Sequence, residues 1–324
     1  MPQLEGYPHL IERFVHWAES EPDIRAAIVI GSRARENCPA DEWSDLDIVV
    51  FAVHPERYVS NADWLAHIGQ PCLTFVEKTP DGGMERRALF TGGLDVDFAF
   101  DSMQMAQQLK QWLWWRAHFP LVLRLLHASM TRRVRDGVAF FADVVRRGTH
   151  VLLDKDNFSK YLSLLAADAP APTLPTQAEF LQVLNDFWYH TVWTAKKLRR
   201  GEVWMAKSCC DVYMKWLLLR VIEWHARVQN GAGYDTWHRG RFLEQWADPR
   251  AIADLRHAFA HYDQAEVRQA LLATMELFHW LSLEIATRLD YSYPHSGQEY
   301  ATTLVNQLLT DTQVRLSTNS LTRS

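Results

Sequence analysis

Hydrophobic positions in the N-terminal part of the chain follow two spacings, one typical of helices and one typical of strands. Residues 8–20 place Leu10, Phe14 and Trp17 on one helical face, with polar residues between them. Short apolar runs bounded by turn residues predict strands at 24–30, 46–53, 71–76 and 94–100. Interleaving of this kind predicts an α+β domain, a mixed sheet with flanking helices, which we place at residues 1–101.

The pattern changes after about residue 103, where apolar residues recur almost throughout at helical spacing. We expect one further strand near 150–153, a stiff Pro-rich linker at 169–175, and a frayed end over the last fifteen or so residues. We assign 102–148 to a helical connection and 149–324 to an all-helical C-terminal domain. Its predicted helices span 177–200, 203–229, 241–247 and 264–289.

Composition and charge narrow the functional classes. The chain has 324 residues, 48% hydrophobic and 23% charged, with a formal net charge of −5 and a pI near 6.3. A nucleic-acid-binding protein usually carries a basic surplus, so an acidic chain fits a cationic small molecule better than a nucleic acid. The N-terminus lacks a signal-peptide pattern, and no apolar stretch is long enough to span a membrane. We therefore predict a cytoplasmic protein without a membrane partner, a monomer or weak homodimer.

Cysteine usage agrees with a reducing compartment. The four cysteines, Cys38, Cys72, Cys209 and Cys210, show neither CxxC pairing nor zinc-ligand spacing. We expect the adjacent Cys209 and Cys210 to lie reduced within a helix.

The candidate chemistry lies between residues 28 and 50. A predicted strand ends at Gly31-Ser32-Arg33, and Asp45-Leu46-Asp47 opens the next strand. Alternate side chains of a strand share a face, so Asp45 and Asp47 point the same way, with Cα atoms about 6–7 Å apart. Neighbouring carboxylates repel unless a cation lies between them, and Mg²⁺ often binds one or two carboxylates together with substrate phosphates.

Two further features complete this constellation. The predicted strand LDVDFAF places Asp95 and Asp97 on one face. Gly31 lets a backbone approach a phosphate without a Cβ clash, and Ser32 can donate a hydrogen bond to a phosphate oxygen. A lone DxD is usually a solvated strand end, and a lone Gly-Ser turn means little. The combination on one sheet favours a functional interpretation.

The pattern Gly-Ser, twelve residues, then Asp-x-Asp resembles the nucleotidyltransferase superfamily. The rest of the chain is similar to the aminoglycoside 6-adenylyltransferases, also called streptomycin adenylyltransferases. The resemblance covers nearly the whole chain and is carried by IVIGSR, SDLDIVVF, LDVDFAF, VLLDKDN, NDFWYHTVWTAKKL and LDYSYP.

The resemblance implies an enzyme that transfers AMP from ATP, with Mg²⁺, to an aminoglycoside hydroxyl, in particular the 6-hydroxyl of streptomycin. It implies that Asp45, Asp47 and Asp97 bind metal and that Gly31 and Ser32 contact the triphosphate. We prefer Asp97 to Asp95, which borders the Gly92-Gly93 turn. Arg33, in the same turn as Ser32, is assigned with them to the nucleotide.

The acceptor side is sought in residues 185–200, part of the helix predicted at 177–200. Asp186 is proposed as the general base for the acceptor hydroxyl, with Trp188 and Tyr189 beside it to hold a sugar ring. Lys196 is proposed as a phosphate ligand. The alternative is that Asp186 and Lys196 only stabilise the helix through its dipole or lie on a solvated face.

Some segments leave alternatives open. The stretch 102–148 is longer than we expect in the family and could reshape the acceptor pocket. The basic loop at 238–241 suggests a solvated loop more than a phosphate contact, and Asp154-Lys-Asp156 could be a turn with an ion pair. Alternative functions are an adenylyltransferase acting on another small molecule, a protein or an RNA 3′ end, and a non-catalytic nucleotide-binding regulatory protein.

Overall fold

The computed structural model describes residues 6–35, 40–79, 83–104, 132–167, 169 and 173–321, and between 104 and 132 only residues 107, 110, 111, 114 and 118. The chain divides into two compact units, residues 1–170 and 171–324. This division falls within the predicted Pro-rich linker. Part of the predicted insert, between residues 104 and 132, lies outside the described residues, as does Cys38.

The first unit contains one six-stranded mixed sheet with the order β3-β4-β5-β2-β1-β6. β2 and β5 run parallel, and all other neighbouring pairs are antiparallel. The strands are β1 (Ile24–Ile30), β2 (Leu46–Ala52), β3 (Pro71–Lys78), β4 (Met84–Phe90), β5 (Leu94–Ser102) and β6 (His150–Asp154). The helices whose bounds lie within the described residues are α1 (Tyr7–Ser20), α2 (Pro55–Ser60), α3 (Arg132–Arg146) and α4 (Leu162–Ala167).

The two faces of this sheet pack into different cores, because successive side chains of a strand point to opposite sides. On one face, Ile48 of β2 shares a core with Phe14 of α1. On the other face, Val49 shares a smaller core with Val145 of α3. Asp47 lies on the same face as Val49, two residues towards the start of β2. The candidate carboxylates therefore belong to the face that carries the smaller core.

The unit boundary differs from the boundaries placed after residues 101 and 148. β6 pairs antiparallel with β1, with Ala26 opposite Asp154, and so forms an edge of the sheet. A strand needs a partner for its backbone groups, and the sequence does not reveal which strand supplies it. Residues 102–170 thus belong to the sheet unit, although the strand expected near 150–153 is confirmed.

The second unit is helical, as predicted. The long helix α5 begins with a capping box, in which Thr176 and Glu179 satisfy each other's backbone N–H groups. The rings of Phe187 and Phe278 stack with centroids 3.6 Å apart in the core. The helices of the second unit are α5 (Gln177–Arg199), α6 (Val203–Ser208), α7 (Met214–Asn230), α8 (Leu243–Trp246), α9 (Pro249–Leu255), α10 (Gln264–Leu289) and α11 (His295–Leu321).

Two expectations for this unit need correction. The helix predicted at 203–229 is interrupted by a π-helical turn, Cys209–Tyr213, between α6 and α7, in which Cys209 and Cys210 are buried free thiols. The terminal segment expected to fray is helical as far as Leu321, where α11 ends. Ala301, Val305 and Leu309, four residues apart, form a narrow buried stripe that the polar composition of this segment hides. Among the described residues, no helix is long and apolar enough to cross a bilayer.

Candidate active site

Three aspartates converge on one face of the central sheet. Asp47 on β2 lies directly opposite Asp97 on β5 in the parallel ladder, and Asp45 immediately precedes β2. One carboxylate oxygen from each of Asp45, Asp47 and Asp97 lies within 4.8 Å of the other two. The sequence placed all three on one face, and the strand register brings them to one point.

The electrostatics of this cluster are unfavourable without a cation. Burial raises the pKa of Asp97, and the charges of Asp95 and Asp45 act in the same direction, whereas Arg87 opposes them. Oδ1 of Asp45 is buried and has no hydrogen-bond partner in the described part of the chain. Three carboxylates with an unsatisfied oxygen fit Mg²⁺, which takes oxygen ligands and compensates the charge.

Gly31 has a steric role that the sequence did not reveal. Its φ of +73° lies in the left-handed region, which glycine adopts without the cost that a side chain would impose. A Cβ at this position would collide with the carboxylate of Asp47. Gly31 therefore makes room for a candidate metal ligand, in addition to any role in the predicted approach to phosphate.

Ser32 follows in the same short 3₁₀ turn, Gly31–Ala34. Its Oγ is buried and has no hydrogen-bond partner among the described residues. Burying a hydroxyl without a hydrogen-bond partner costs free energy, so such a group usually binds a ligand or an ordered water. The predicted contact with a phosphate oxygen would satisfy it.

Arg33 contacts the protein itself. Its Nε donates to the carbonyl oxygen of Asp45 at 3.0 Å, and its Nη2 donates to that of Ser44 at 2.6 Å. Its guanidinium carbon lies 3.6 Å from the ring centroid of Tyr7. These contacts hold the segment that leads into β2 and so position Asp45. The contact of Arg33 with the triphosphate stays a prediction.

Arg87 is a site residue that the sequence reasoning missed. It lies on β4, in register with Asp97, and its Nε donates to Asp97 Oδ1 at 2.6 Å. Its Nη1 lies 3.4 Å from Glu77 Oε2. The sequence signal was weak: Gly82-Gly83 is a dipeptide typical of hairpin turns, but MERRALF groups its polar and apolar residues instead of alternating them, so no face of a strand could be assigned to Arg87.

In the helical unit, Asp186 lies on α5 within a polar cluster. The Tyr213 hydroxyl is 3.0 Å from Asp186 Oδ1 and 2.9 Å from Oδ2, and His190 Nδ1 is 2.8 Å from Oδ1. Burial and the Asp186 carboxylate raise the pKa of Tyr213, which keeps its hydroxyl a donor. Asp186 is thus a partly exposed carboxylate with an orientation set by two neighbours.

Lys196 lies further along α5 and is exposed, and its ammonium forms no hydrogen bond or ion pair with other described residues. It lines a cavity of about 360 Å³ within the helical unit. Tyr189, 67% exposed, and Trp193 contribute aromatic walls to this cavity. Trp188, predicted to hold a sugar beside Tyr189, is only 5% exposed and belongs mainly to the core.

The segment Asp154-Lys155-Asp156 has structural contacts. Asp154 accepts hydrogen bonds from the backbone N–H groups of Phe158 and Ser159, and Asp156 pairs with Arg25 at 2.5 Å. The interpretation as a turn with an ion pair is therefore confirmed.

The basic loop forms a short turn, His238–Gly240, that contains no buried residue.

Comparison with known proteins shows what this chain is similar to. Residues 6–308 match the family model described as streptomycin adenylyltransferase. The chain is 22% identical over 308 residues to an aminoglycoside 6-adenylyltransferase of Campylobacter jejuni, covering 90% of this chain and 92% of that protein. It is 25% identical over 294 residues to the enzyme of that name from Bacillus subtilis, covering 90% and 94%. A crystal structure of a Bacillus subtilis aminoglycoside 6-adenyltransferase aligns with 19% identity and a TM-score of 0.41, covering 93% and 97%.

Proposed function

This chain belongs to the streptomycin adenylyltransferase family of nucleotidyltransferases, and from that membership we propose that it transfers AMP from Mg²⁺-bound ATP to an aminoglycoside hydroxyl. The proposed acceptor is streptomycin, modified at its 6-hydroxyl, which would inactivate the antibiotic. The cytoplasmic location inferred from the sequence is part of this proposal.

The convergence of Asp45, Asp47 and Asp97 is the observation that carries the proposal. Each of these side chains offers an oxygen, and their mutual repulsion makes a cation the natural occupant. When bound, Mg²⁺ would supply charge stabilisation to the phosphates during transfer. The buried Ser32 hydroxyl, without a partner in the described residues, supports a phosphate beside these carboxylates.

The reaction needs little covalent chemistry from the protein. The acceptor hydroxyl oxygen forms a bond to the α-phosphorus of ATP, the bond from that phosphorus to the bridging oxygen breaks, and pyrophosphate leaves. We propose that Ser32 donates to a phosphate oxygen and that Arg33 holds Asp45 in place through the backbone contacts described above. Positioning and electrostatics would then account for most of the rate.

The acceptor proton has to be taken up by a base. We propose Asp186, because its carboxylate is oriented by Tyr213 and His190 and remains partly exposed. The aspartates of the sheet would be poor bases while they bind metal. Lys196 is proposed as a phosphate ligand, on the ground that this exposed ammonium forms no ion pair with the described residues.

A cationic acceptor agrees with the charge of the chain. Streptomycin carries guanidinium groups, which pair with carboxylates and stack on aromatic faces. The formal net charge of −5 favours the approach of such a molecule over that of a polyanion. The exposed ring of Tyr189, beside Asp186 in the helical unit, supplies a suitable aromatic face.

The direct test is mass spectrometry after incubation of the protein with Mg·ATP and a panel of aminoglycosides. We expect streptomycin to gain one AMP and pyrophosphate to appear in equal amount, with Asp47→Asn as the inactive control. Absence of any adenylylated aminoglycoside, with ATP binding intact, would favour a regulatory nucleotide-binding protein. Adenylylation of added tRNA or protein instead would identify a different acceptor.

A further inference from the structure

Arg87 brings a positive charge into direct contact with the aspartate cluster. It lies opposite Asp97 in the antiparallel ladder between β4 and β5. The Arg87 side chain is 30% exposed and that of Asp97 11% exposed, so the 2.6 Å pair is partly shielded from water. A charge-assisted hydrogen bond in this setting is stronger than a surface ion pair.

The position of Arg87 creates a competition for Asp97. Without metal, its guanidinium compensates one of the three carboxylates and fixes the orientation of Asp97. A metal ion bound to the same cluster would be attracted by the Asp97 carboxylate, whose negative charge also stabilises the guanidinium. Asp97 can accept from both, since a carboxylate has about four lone-pair sites. The two cations nevertheless repel each other, so each weakens the binding of the other.

We propose that Arg87 is a positioning residue that holds Asp97 ready in the metal-free protein and limits the affinity of the aspartate cluster for bare metal. The inference depends on the proposed function, because it requires a metal at Asp45, Asp47 and Asp97. Its consequence is that metal loading is favoured when phosphates arrive with the metal, since their negative charge offsets the repulsion by Arg87.

The neighbouring Arg86 provides a matched control. Its side chain points to the opposite face of β4 and is 6% exposed. It donates to the carbonyl oxygens of Tyr58 and Val59 and to the hydroxyl of Thr74, so it joins α2 to strands β3 and β4 of the sheet. Loss of Arg86 should therefore lower stability equally with and without metal.

The experiment measures Mn²⁺ binding to the nucleotide-free full-length protein, by electron paramagnetic resonance, and the Tm with and without Mn²⁺. Carboxylate sites accept Mn²⁺ as well as Mg²⁺. We expect Arg87→Gln to bind Mn²⁺ at least about threefold more tightly than the wild type, because one repelling charge is gone. Its metal-free Tm should fall, because Asp97 then loses the guanidinium that pairs with it, and its gain in Tm on adding Mn²⁺ should be larger.

Two further variants keep the test decisive. Arg87→Met retains the apolar stem and replaces Arg87→Gln if the glutamine variant does not fold. Arg87→Lys retains the charge and should bind Mn²⁺ within about twofold of the wild type. In an Asp97→Asn background, removal of Arg87 should increase Mn²⁺ affinity much less, as expected when two residues act on each other.

The outcomes separate the two proposals. If Asp47→Asn abolishes Mn²⁺ binding but Arg87→Gln and Arg87→Met leave the Mn²⁺ affinity unchanged or weaker, the inference about Arg87 is overturned and the metal site stands. An equal gain with and without the Asp97 carboxylate would likewise overturn it. If Mn²⁺ binding does not depend on Asp47, the metal site itself is wrong, and both proposals fail.

Discussion

The carboxylates of the two candidate catalytic regions differ in how fully other protein groups hydrogen-bond them. In the sheet unit, Asp45 has a buried oxygen without a hydrogen-bond partner among the described residues and lies within reach of two more carboxylates. In the helical unit, both oxygens of Asp186 accept from Tyr213, and one also contacts His190. The first region brings three carboxylates close together, and one of their oxygens is buried without a partner among the described residues. In the second region, protein side chains hydrogen-bond both oxygens of a single carboxylate.

This difference indicates different roles for the two carboxylate sets. Three clustered carboxylates gain from a cation, since its binding relieves their mutual repulsion and would pair the buried oxygen of Asp45. A carboxylate held by two side-chain donors keeps its orientation and an exposed edge. Such a carboxylate is suited to contact the acceptor. The predictions below test the contrast by altering one side at a time.

The largest effect is expected for Asp47→Asn. Loss of a metal ligand should reduce adenylyl transfer by at least about a thousandfold, since metal ions supply several kcal/mol to such transition states. The metal-free Tm should be equal to or higher than that of the wild type, because one of three repelling charges is removed. Turnover and thermal denaturation in chelator-treated buffer measure both quantities.

Asp95→Asn is the matched control for this change. Asp95 lies on the same face of β5, two residues from Asp97, but is not part of the converging cluster. Its substitution should leave most of the activity. Near wild-type turnover by Asp47→Asn would show that the metal assignment is wrong.

Asp186→Asn should have the next largest effect. A general base typically contributes about 10²–10⁴-fold, so we expect kcat to fall at least about a hundredfold while ATP binding is kept. The acidic limb of the pH–rate profile should flatten. Tyr213→Phe removes only a hydrogen bond to the carboxylate and should cost far less. A fall of less than about fivefold, with the pH dependence intact, would leave Asp186 as a contact residue, since it lies too far from the start of α5 to stabilise the helix through its dipole.

Gly31→Ala tests the crowding around Asp47. Both the positive φ and the collision with the Asp47 carboxylate oppose a side chain here, and we expect unfolding free energy to fall by about 1–3 kcal/mol. Gly93→Ala is the control, because Gly93 has a similar φ of +77° but no atom of the described residues within 4 Å of the position that a Cβ would take. Equal losses in the two variants, measured by denaturant unfolding, would remove the proposed role of Gly31 beside Asp47.

The sequence predicted this site in part. Alternation along a strand placed Asp45 with Asp47 and Asp95 with Asp97, because side-chain direction depends only on local geometry. Which residue of β5 faces Asp47 depends on the register between strands about fifty residues apart, which local patterns do not determine. Arg87 was missed for the same reason, since its role exists only once β4 pairs with β5.

The fold shows the same division between local and long-range information. The helix from Gln177 was predicted nearly to its ends because its capping box and apolar spacing are local. The assignment of β6 to the sheet unit and the burial of α11 depend on partners distant in sequence. Gly31 shows both kinds of information. Its turn was predicted from local sequence, whereas the collision of a Cβ at this position with Asp47 depends on a partner distant in sequence.

Ser32→Ala should have a smaller effect than the changes above. A hydrogen bond to a charged group contributes about 1.5 kcal/mol or somewhat more, so KM for ATP should rise about tenfold, with little change in acceptor KM. Steady-state kinetics with each substrate varied in turn will separate the two constants. An unchanged KM and kcat for ATP would exclude the predicted contact between Ser32 and phosphate.

The smallest effect concerns a carboxylate of the sheet unit that, unlike Asp45, is fully paired. The hydrogen bond from Arg25 is the main cause that lowers the pKa of Asp156 below its ordinary value. Asp156→Asn should therefore cost about 0.2–1 kcal/mol of unfolding free energy at pH 7. A lowered folded pKa means that this stabilisation is complete above about pH 5 and is lost as the pH falls through the folded value. Urea denaturation of both proteins from pH 7 to pH 3 should show their difference shrinking, and a difference that stays constant or grows on acidification would contradict the assignment.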